Sequence, residues 1–176
     1  MTPLQEEYRR RAAADHDIRQ QMPVLYAWAR HADRIIELGV RSGNSTSAFL
    51  AGIEHGGGEL WSVDIETPDV PAWWRDLPAW HLLVADDLSP KAVAFCHRGA
   101  DVLFIDTSHS YEHTLAELRL YVPKVRPGGV VLLHDTDRTE WPDVGRALDE
   151  YCPSAGLDWY DHPFWHGLGV IEVPRG

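Results

Sequence analysis

Two short stretches put ionisable side chains where a hydroxyl could lose a proton. Asp106 and His109 are separated by two residues directly after the apolar run Val102-Leu103-Phe104-Ile105, and His134 and Asp135 are adjacent after Val130-Val131-Leu132-Leu133. A hydroxyl of high pKa needs a base beside it or a cation that lowers its pKa, and an imidazole titrates near neutrality. If a helix begins at Ser110, His109 sits at its entry and faces the same mouth as Asp106. A third stretch, Arg34-Ile35-Ile36-Glu37-Leu38-Gly39-Val40-Arg41-Ser42-Gly43-Asn44-Ser45, ends an apolar run in a carboxylate and then sets two glycines four residues apart before a helix of small residues. Glycine there leaves the backbone open to a ligand. Asp64 closes the run Leu60-Trp61-Ser62-Val63, twenty-one residues beyond Gly43. A carboxylate in that place can accept hydrogen bonds from both hydroxyls of a ribose, so the combination asks for an adenosine-containing cofactor.

The elements that must position these groups follow from periodicity. Strand-length apolar runs at 34–38, 59–64, 81–85, 101–106, 129–134 and 169–173, with a weaker one at 157–161, alternate with helical patterns. That alternation predicts a mostly parallel sheet covered on both faces. Helices are expected over 45–55, 89–96, 110–122 and 143–151, with two more at 5–20 and 23–30 outside the sheet unit. Ser89-Pro90 reads as an N-cap followed by proline at the first helical position. Pro127-Gly128-Gly129 is expected to stop the chain before its next strand. The two N-terminal helices either cover the cofactor edge or mediate contacts with a second copy of the chain.

Sheets of this kind bind ligands at the carboxyl ends of their strands. The residues there are Glu37, Asp64, Asp86, Asp106, His134 and Asp135, nearly all acidic. A nicotinamide reader is expected to carry G-x-G-x-x-G and to seat a pyrophosphate on a helix N-terminus. Position 41 is Arg rather than Gly, and acidic tips repel a diphosphate. S-adenosylmethionine carries a sulfonium and an ammonium and no phosphate, so the electrostatics favour it.

The stretch Phe104-Ile105-Asp106-Thr107-Ser108-His109-Ser110-Tyr111-Glu112-His113, with Arg126-Pro127-Gly128-Gly129-Val130-Val131-Leu132-Leu133-His134-Asp135, resembles the class I S-adenosylmethionine-dependent methyltransferases. More narrowly it is similar to the small O-methyltransferase-like group that includes metal-dependent macrolide-sugar O-methyltransferases and cephalosporin-hydroxylase-associated proteins. The resemblance implies a Rossmann-like, doubly wound, mostly parallel seven-stranded sheet with an antiparallel last strand, plus N-terminal helices. It implies that Glu37, Gly39, Gly43 and Ser45 line the methionine part of the cofactor, that Asp64 holds the ribose, and that Asp86 faces the adenine amino group. Asp106 would lie beside the reactive methyl, and His109 would be the general base. Asp106 and Asp135 would ligate a divalent cation such as Mg2+. Several relatives have two consecutive acids where this chain has His134-Asp135. His134 is therefore either a third ligand, which would favour manganese, iron or zinc, or a hydrogen-bonding wall of the pocket.

Composition fits this picture. The chain has 176 residues, 44% hydrophobic and 24% charged, enough for one domain with a sizeable core. Residues 1–32 are expected to form a helical extension and 33–176 the S-adenosylmethionine-binding domain. A formal net charge of -11 argues against a nucleic-acid partner. The two cysteines, Cys96 and Cys152, form no CxxC and suggest neither a disulfide framework nor zinc. No apolar run reaches membrane-spanning length and residues 2–21 are polar, so a cytoplasmic protein with no membrane partner is expected. The eight tryptophans are expected mainly in the core or in pocket walls. In the loop 66–80, three prolines and Trp73, Trp74 and Trp80 suit a flat acceptor. The expected activity is O-methylation of a small-molecule acceptor, a sugar or natural product. The competing expectation is a non-catalytic S-adenosylmethionine-binding accessory protein.

Overall fold

The computed structural model describes residues 1–176. Its strands are β1 (Arg34–Leu38), β2 (Glu59–Asp64), β3 (Trp80–Val84), β4 (Ala100–Ile105), β5 (Val125–His134), β6 (Trp159–His162) and β7 (Leu168–Glu172). They form one seven-stranded sheet in the order β3-β2-β1-β4-β5-β7-β6. β1 to β5 run parallel, and β7 is antiparallel to both β5 and β6. The sheet is thus the Rossmann-like, doubly wound one expected, with its last strand reversed. Strand order turns back between β1 and β4, the switch point at which such sheets open a crevice.

Period-two alternation fills both faces. Ile36, Leu38, Leu103, Ile105, Val131 and Leu133 pack under α4 (Pro90–Phe95), α5 (Tyr111–Tyr121) and α6 (Pro142–Ala155). Ile35, Val102, Phe104, Val130 and Leu132 pack under α2 (Met22–Ala29) and α3 (Asn44–Ile53). The first helix, α1 (Pro3–Ala13), lies on α3, where Gln5 Nε2 donates to the Ala51 carbonyl at 2.8 Å. α2 is so close to α3 that a Cβ on Gly52 would lie 2.4 Å from the Ala29 Cβ. No helix is long and apolar enough to cross a membrane.

Three boundaries differ from the sequence reading by more than two residues. α1 ends at Ala13, not near residue 20. Beyond it Asp17 takes the Ile18 N–H on its own side chain and binds the Arg41 guanidinium, a local alternative to helical bonding. β5 starts at Val125, not at Gly129. Pro127-Gly128-Gly129 is absorbed as a register shift: Ala100 pairs Val125 while Val102 pairs Val130. A Cβ on Gly129 would meet the Asp101 carbonyl at 2.9 Å, which is why glycine occupies the irregularity. α6 continues through Pro153 to Ala155, and Gly156 in the left-handed region (φ 68°) caps it.

Candidate functional site

The glycine turn between β1 and α3 forms the floor. Gly39 (φ 89°), Arg41 (φ 52°) and Gly43 (φ 78°) are all left-handed. A Cβ on Gly39 would lie 1.9 Å from the Asp106 carbonyl oxygen, and one on Gly43 would lie 2.7 Å from the Trp74 ring. Trp74 is fully buried, so of the loop's tryptophans only Trp73 is exposed, and Trp80 belongs to β3 and the core.

Two strand-tip carboxylates hold this turn from different sides. Glu37 is fully buried beneath it and accepts from Ser45 Oγ (2.7 Å), Thr46 Oγ1 (2.9 Å) and Ser62 Oγ (2.6 Å). Burial pushes its carboxyl up to about 7 against those three hydrogen bonds. Glu37, with no exposed surface, therefore fixes the turn from below. Asp64 is at the rim: its Oδ2 accepts from the Val40 and Arg41 amides, both at 2.8 Å, and its Oδ1 from the Glu66 amide at 2.9 Å. A carboxylate offers about four acceptor positions, so roughly one remains for a ligand hydroxyl rather than a pair.

Beside the turn opens a cavity of about 550 Å³, lined by Gly39, Asp64, Asp86, Asp87, Asp106 and His113 among others. That is ordinary size for a cofactor pocket. Asp86 is oriented by the Leu88 amide, which donates to its Oδ1 at 2.8 Å. A second hollow of about 260 Å³ includes His16, Asp17, Arg41, Asn44, Ser45 and Asp106. The two cavities meet at Arg41 and Asp106. The segment after α1 therefore borders the crevice.

From Asp106 a chain of titratable groups runs away from the turn. His134 Nδ1 lies 3.3 Å from Asp106 Oδ1 and 2.9 Å from Asp135 Oδ2. His109 Nε2 approaches the same Asp135 oxygen at 2.6 Å, off the line of an ideal N–H···O bond. Burial disfavours a charged His134, but the two carboxylates against it prevail and push its pKa up to about 10. Burial likewise opposes ionised Asp135, yet His109 and His134 hold it well below the usual carboxylate range. Asp135 is itself left-handed (φ 59°), an arrangement that persists only where surroundings enforce it. Trp141 packs on the His109 ring with centroids 4.1 Å apart. Arg138, from the same loop as Trp141, pairs with Asp149 at 2.8 Å.

Asp106, His134 and Asp135 each offer a donor atom within 4.8 Å of the others. His134 Nε2 is buried without a partner, and Nδ1 meets the two carboxylates without an aligned hydrogen bond, as donors facing a shared ion would. The donor set, two oxygens and one nitrogen, fits a divalent cation. Sequence reasoning missed His166, whose Nδ1 lies 3.0 Å from Glu140 and 3.8 Å from Asp135. Its only local trace is the turn before β7, His166-Gly167, where both residues have positive φ.

An acid-lined crevice at the switch point of a doubly wound sheet defines the class of α/β domain that holds a small cofactor at its strand tips. The family described as a methyltransferase domain matches residues 36–136. The chain belongs to that methyltransferase family. It is 26% identical to the uncharacterized protein y4gI of Sinorhizobium fredii over 85% of this chain, and it spans only about 20% of that relative's length. Among solved structures it is similar to cofactor-bound Rv0187 from MTB (TM-score 0.75, 18% identity, 100% of this chain and 92% of that one). It is also similar to CalS11, a TDP-rhamnose 3'-O-methyltransferase of calicheamicin biosynthesis (TM-score 0.67, 19% identity, 87% and 77%). MycE of mycinamycin biosynthesis, solved with Mg, SAH and mycinamycin VI, is similar over 89% of this chain and 49% of its own (TM-score 0.65, 18% identity). At such identities these structures establish the shared fold.

Proposed function

We propose that the chain is an S-adenosylmethionine-dependent O-methyltransferase acting on a small-molecule hydroxyl, on a sugar or another natural product. One observation carries the reading: Asp106 lines the cofactor-sized cavity and also abuts the His134–Asp135–His109 cluster. The binding cleft and the proton-handling groups thus share a wall. The sugar O-methyltransferase named above and the Mg- and SAH-bound MycE, alike in fold, support the chemistry.

S-adenosylmethionine, when bound, supplies an electrophilic methyl group, and a divalent cation would supply a Lewis acid for the acceptor oxygen. This chain's residues do the rest. Asp64 offers its remaining acceptor position to a ribose hydroxyl, and Asp86 faces the adenine side of the cavity. Gly39, Gly43 and Ser45 shape the methionine end, while Glu37 holds that end in place through Ser45 and Thr46. Asp106, His134 and Asp135 are the residues that would hold the cation. Asp135 takes His109 by Nε2, leaving Nδ1 to accept the hydroxyl proton, the logic of a base oriented by a carboxylate. Trp141 fixes the His109 ring plane.

Calorimetric titration with S-adenosylmethionine and SAH tests the first half. Asp64→Asn is expected to weaken binding about 10- to 100-fold, as for a lost hydrogen bond to a charged group; no binding to the unaltered chain refutes the cofactor assignment. Methyl transfer to a panel of hydroxylated sugars and macrolides tests the second half. His109→Gln is expected to lower turnover about 10²- to 10⁴-fold, the usual worth of a general base, with cofactor affinity unchanged. Equal turnover removes His109 from the chemistry. Cofactor binding without transfer to any acceptor points instead to the accessory-protein reading.

A further inference from the structure

One group of ionisable side chains, two buried and one partly exposed, has no role in that proton transfer. Asp87 lies in the link from β3 to α4, and His113 and Glu117 stand four residues apart on α5, one above the other on the same helix face. Glu117 is fully buried and Asp87 is 8% exposed. His113 Nε2 is hydrogen-bonded to Asp87 Oδ2 at 3.2 Å and lies 3.0 Å from Asp87 Oδ1 and 3.7 Å from Glu117 Oε1. Thr107 Oγ1 donates to Glu117 Oε1 at 2.6 Å, but Glu117 Oε2 and Asp87 Oδ1 are buried with no hydrogen-bond partner. An unpartnered oxygen on a wholly buried carboxylate is a costly arrangement.

The charges do not balance within the cluster. No Lys or Arg pairs with either carboxylate, and one imidazole supplies at most one positive charge against two negative ones. Burial and the nearby Asp87 charge hold the Glu117 carboxyl well above its usual range, so without a cation the cluster balances only by keeping a proton on Glu117. The group is also built to a fixed shape. Tyr121 OH donates to the Asp87 carbonyl at 2.5 Å, tying the β3–α4 link to α5.

We propose that Asp87, His113 and Glu117 form a divalent-cation site, separate from Asp106, His134 and Asp135, in the wall of the cofactor-sized cavity. Two donors on one zinc-like ion, each about 2.0–2.2 Å from it, stand roughly 3.0–3.5 Å apart. The observed 3.0 and 3.7 Å need little adjustment, and one donor atom from each of the three residues lies within 4.8 Å of the others. A dication with two carboxylates and a neutral imidazole makes the cluster neutral, and by binding Asp87 Oδ1 and either oxygen of Glu117 it gives these buried carboxylates a further partner. Mixed nitrogen and oxygen donors suit a borderline ion of the zinc and cobalt class better than magnesium. Asp87 and His113 both line the cavity, so the ion's remaining coordination position faces it.

Co2+ titration of the metal-free full chain, read by visible absorption and by bound metal after equilibrium dialysis, tests the site without any acceptor. Two equivalents are expected for the unaltered chain, one for His113→Ala and one for His134→Ala. Should the Asp106 group hold no metal, the unaltered chain binds one equivalent, which His113→Ala removes and His134→Ala keeps; the site stands and only the metal part of the functional reading falls. Glu117→Gln, which keeps an acceptor for Thr107, is expected to weaken this Co2+ at least ten-fold with an unchanged circular dichroism spectrum. The proposal is overturned if His113→Ala retains every equivalent with the same spectrum, if Glu117→Gln binds as tightly as the unaltered chain, or if no Co2+ binds.

Discussion

Replacing Gly39 with Ala tests whether the glycine turn and the Asp106 strand tip are one mechanical unit. The added Cβ would lie 1.9 Å from the Asp106 carbonyl oxygen, 2.8 Å from its carbonyl carbon and 3.4 Å from Thr107 Cγ2. Two of these partners are backbone, so relief requires separating strand ends. Those ends are fastened by the Asp106 amide donating to Leu38 O and the Gly39 amide donating to Val63 O, both at 2.9 Å. The left-handed φ of 89° adds its own penalty. Roughly 1–2 kcal/mol for a side chain in that conformation and about 1–3 kcal/mol for overpacking give a loss of about 2–5 kcal/mol. Gly57→Ala is the control: φ there is 75°, but nothing lies within 4 Å of the added atom, so only the conformational part applies. Urea unfolding followed by fluorescence of the tryptophans reads both. The expected result is a loss for Gly39→Ala exceeding that for Gly57→Ala by about 1–3 kcal/mol, with cofactor binding lost only in the former. Equal losses would show that the turn tolerates displacement from Asp106 and would remove the steric basis of the floor.

Glu37 predicts a pH dependence of stability. Its pKa is raised from 4.5 to about 7, so the folded state holds the proton more tightly; this contribution is complete below pH 4.5 and is lost as pH rises through 7. Glu37→Gln should cancel the trend, so that its unfolding free energy relative to the unaltered chain rises by about 3 kcal/mol across that window; a constant difference contradicts the assignment. Asp101 sits at the opposite end of the sheet, where its carboxylate accepts from the Asp33 and Arg34 amides, both at 2.8 Å, and from Arg126. Asp101→Ala should lower stability by about 2–3 kcal/mol and leave S-adenosylmethionine affinity unchanged within two-fold; weakened binding would mean that both ends of the sheet feel the ligand.

The sheet was legible because its code is local. Alternation in Val102-Leu103-Phe104-Ile105 and Val130-Val131-Leu132-Leu133 assigns each side chain to a face, and a carboxylate after the run lands at the tip. Features set by distant partners were not legible. α1 stops early where Asp17 answers Arg41, twenty-four residues away. Pro127-Gly128-Gly129 reads as a terminator, yet β4 beside it turns the same residues into an irregular strand start. His166 has no motif because Glu140 and Asp135, which give it meaning, belong to a different loop. The spacing of His113 and Glu117 was visible, but the third member, Asp87, is supplied by the packing of α5 against the β3–α4 link.

The strand-tip carboxylates, alike in sequence, have different fates, and their hydrogen-bond inventories tell them apart. Glu37 spends its acceptors on three hydroxyls and is sealed from solvent, so it acts on the turn and not on a ligand. Asp135 is engaged by two imidazoles and is nearly buried, so its charge orients His109. Asp64, Asp86 and Asp106 border the cavity, and each is only partly engaged by the protein. An attraction for a cationic cofactor therefore rests on these three together with Asp87, not on every acid at the sheet edge. Neutralising Asp87 through a bound cation would reduce that field beside Asp86 while leaving Asp106 untouched. The two metal-capable groups would then act at different places along one cavity, one beside Asp86 and Asp87 and the other at Asp106.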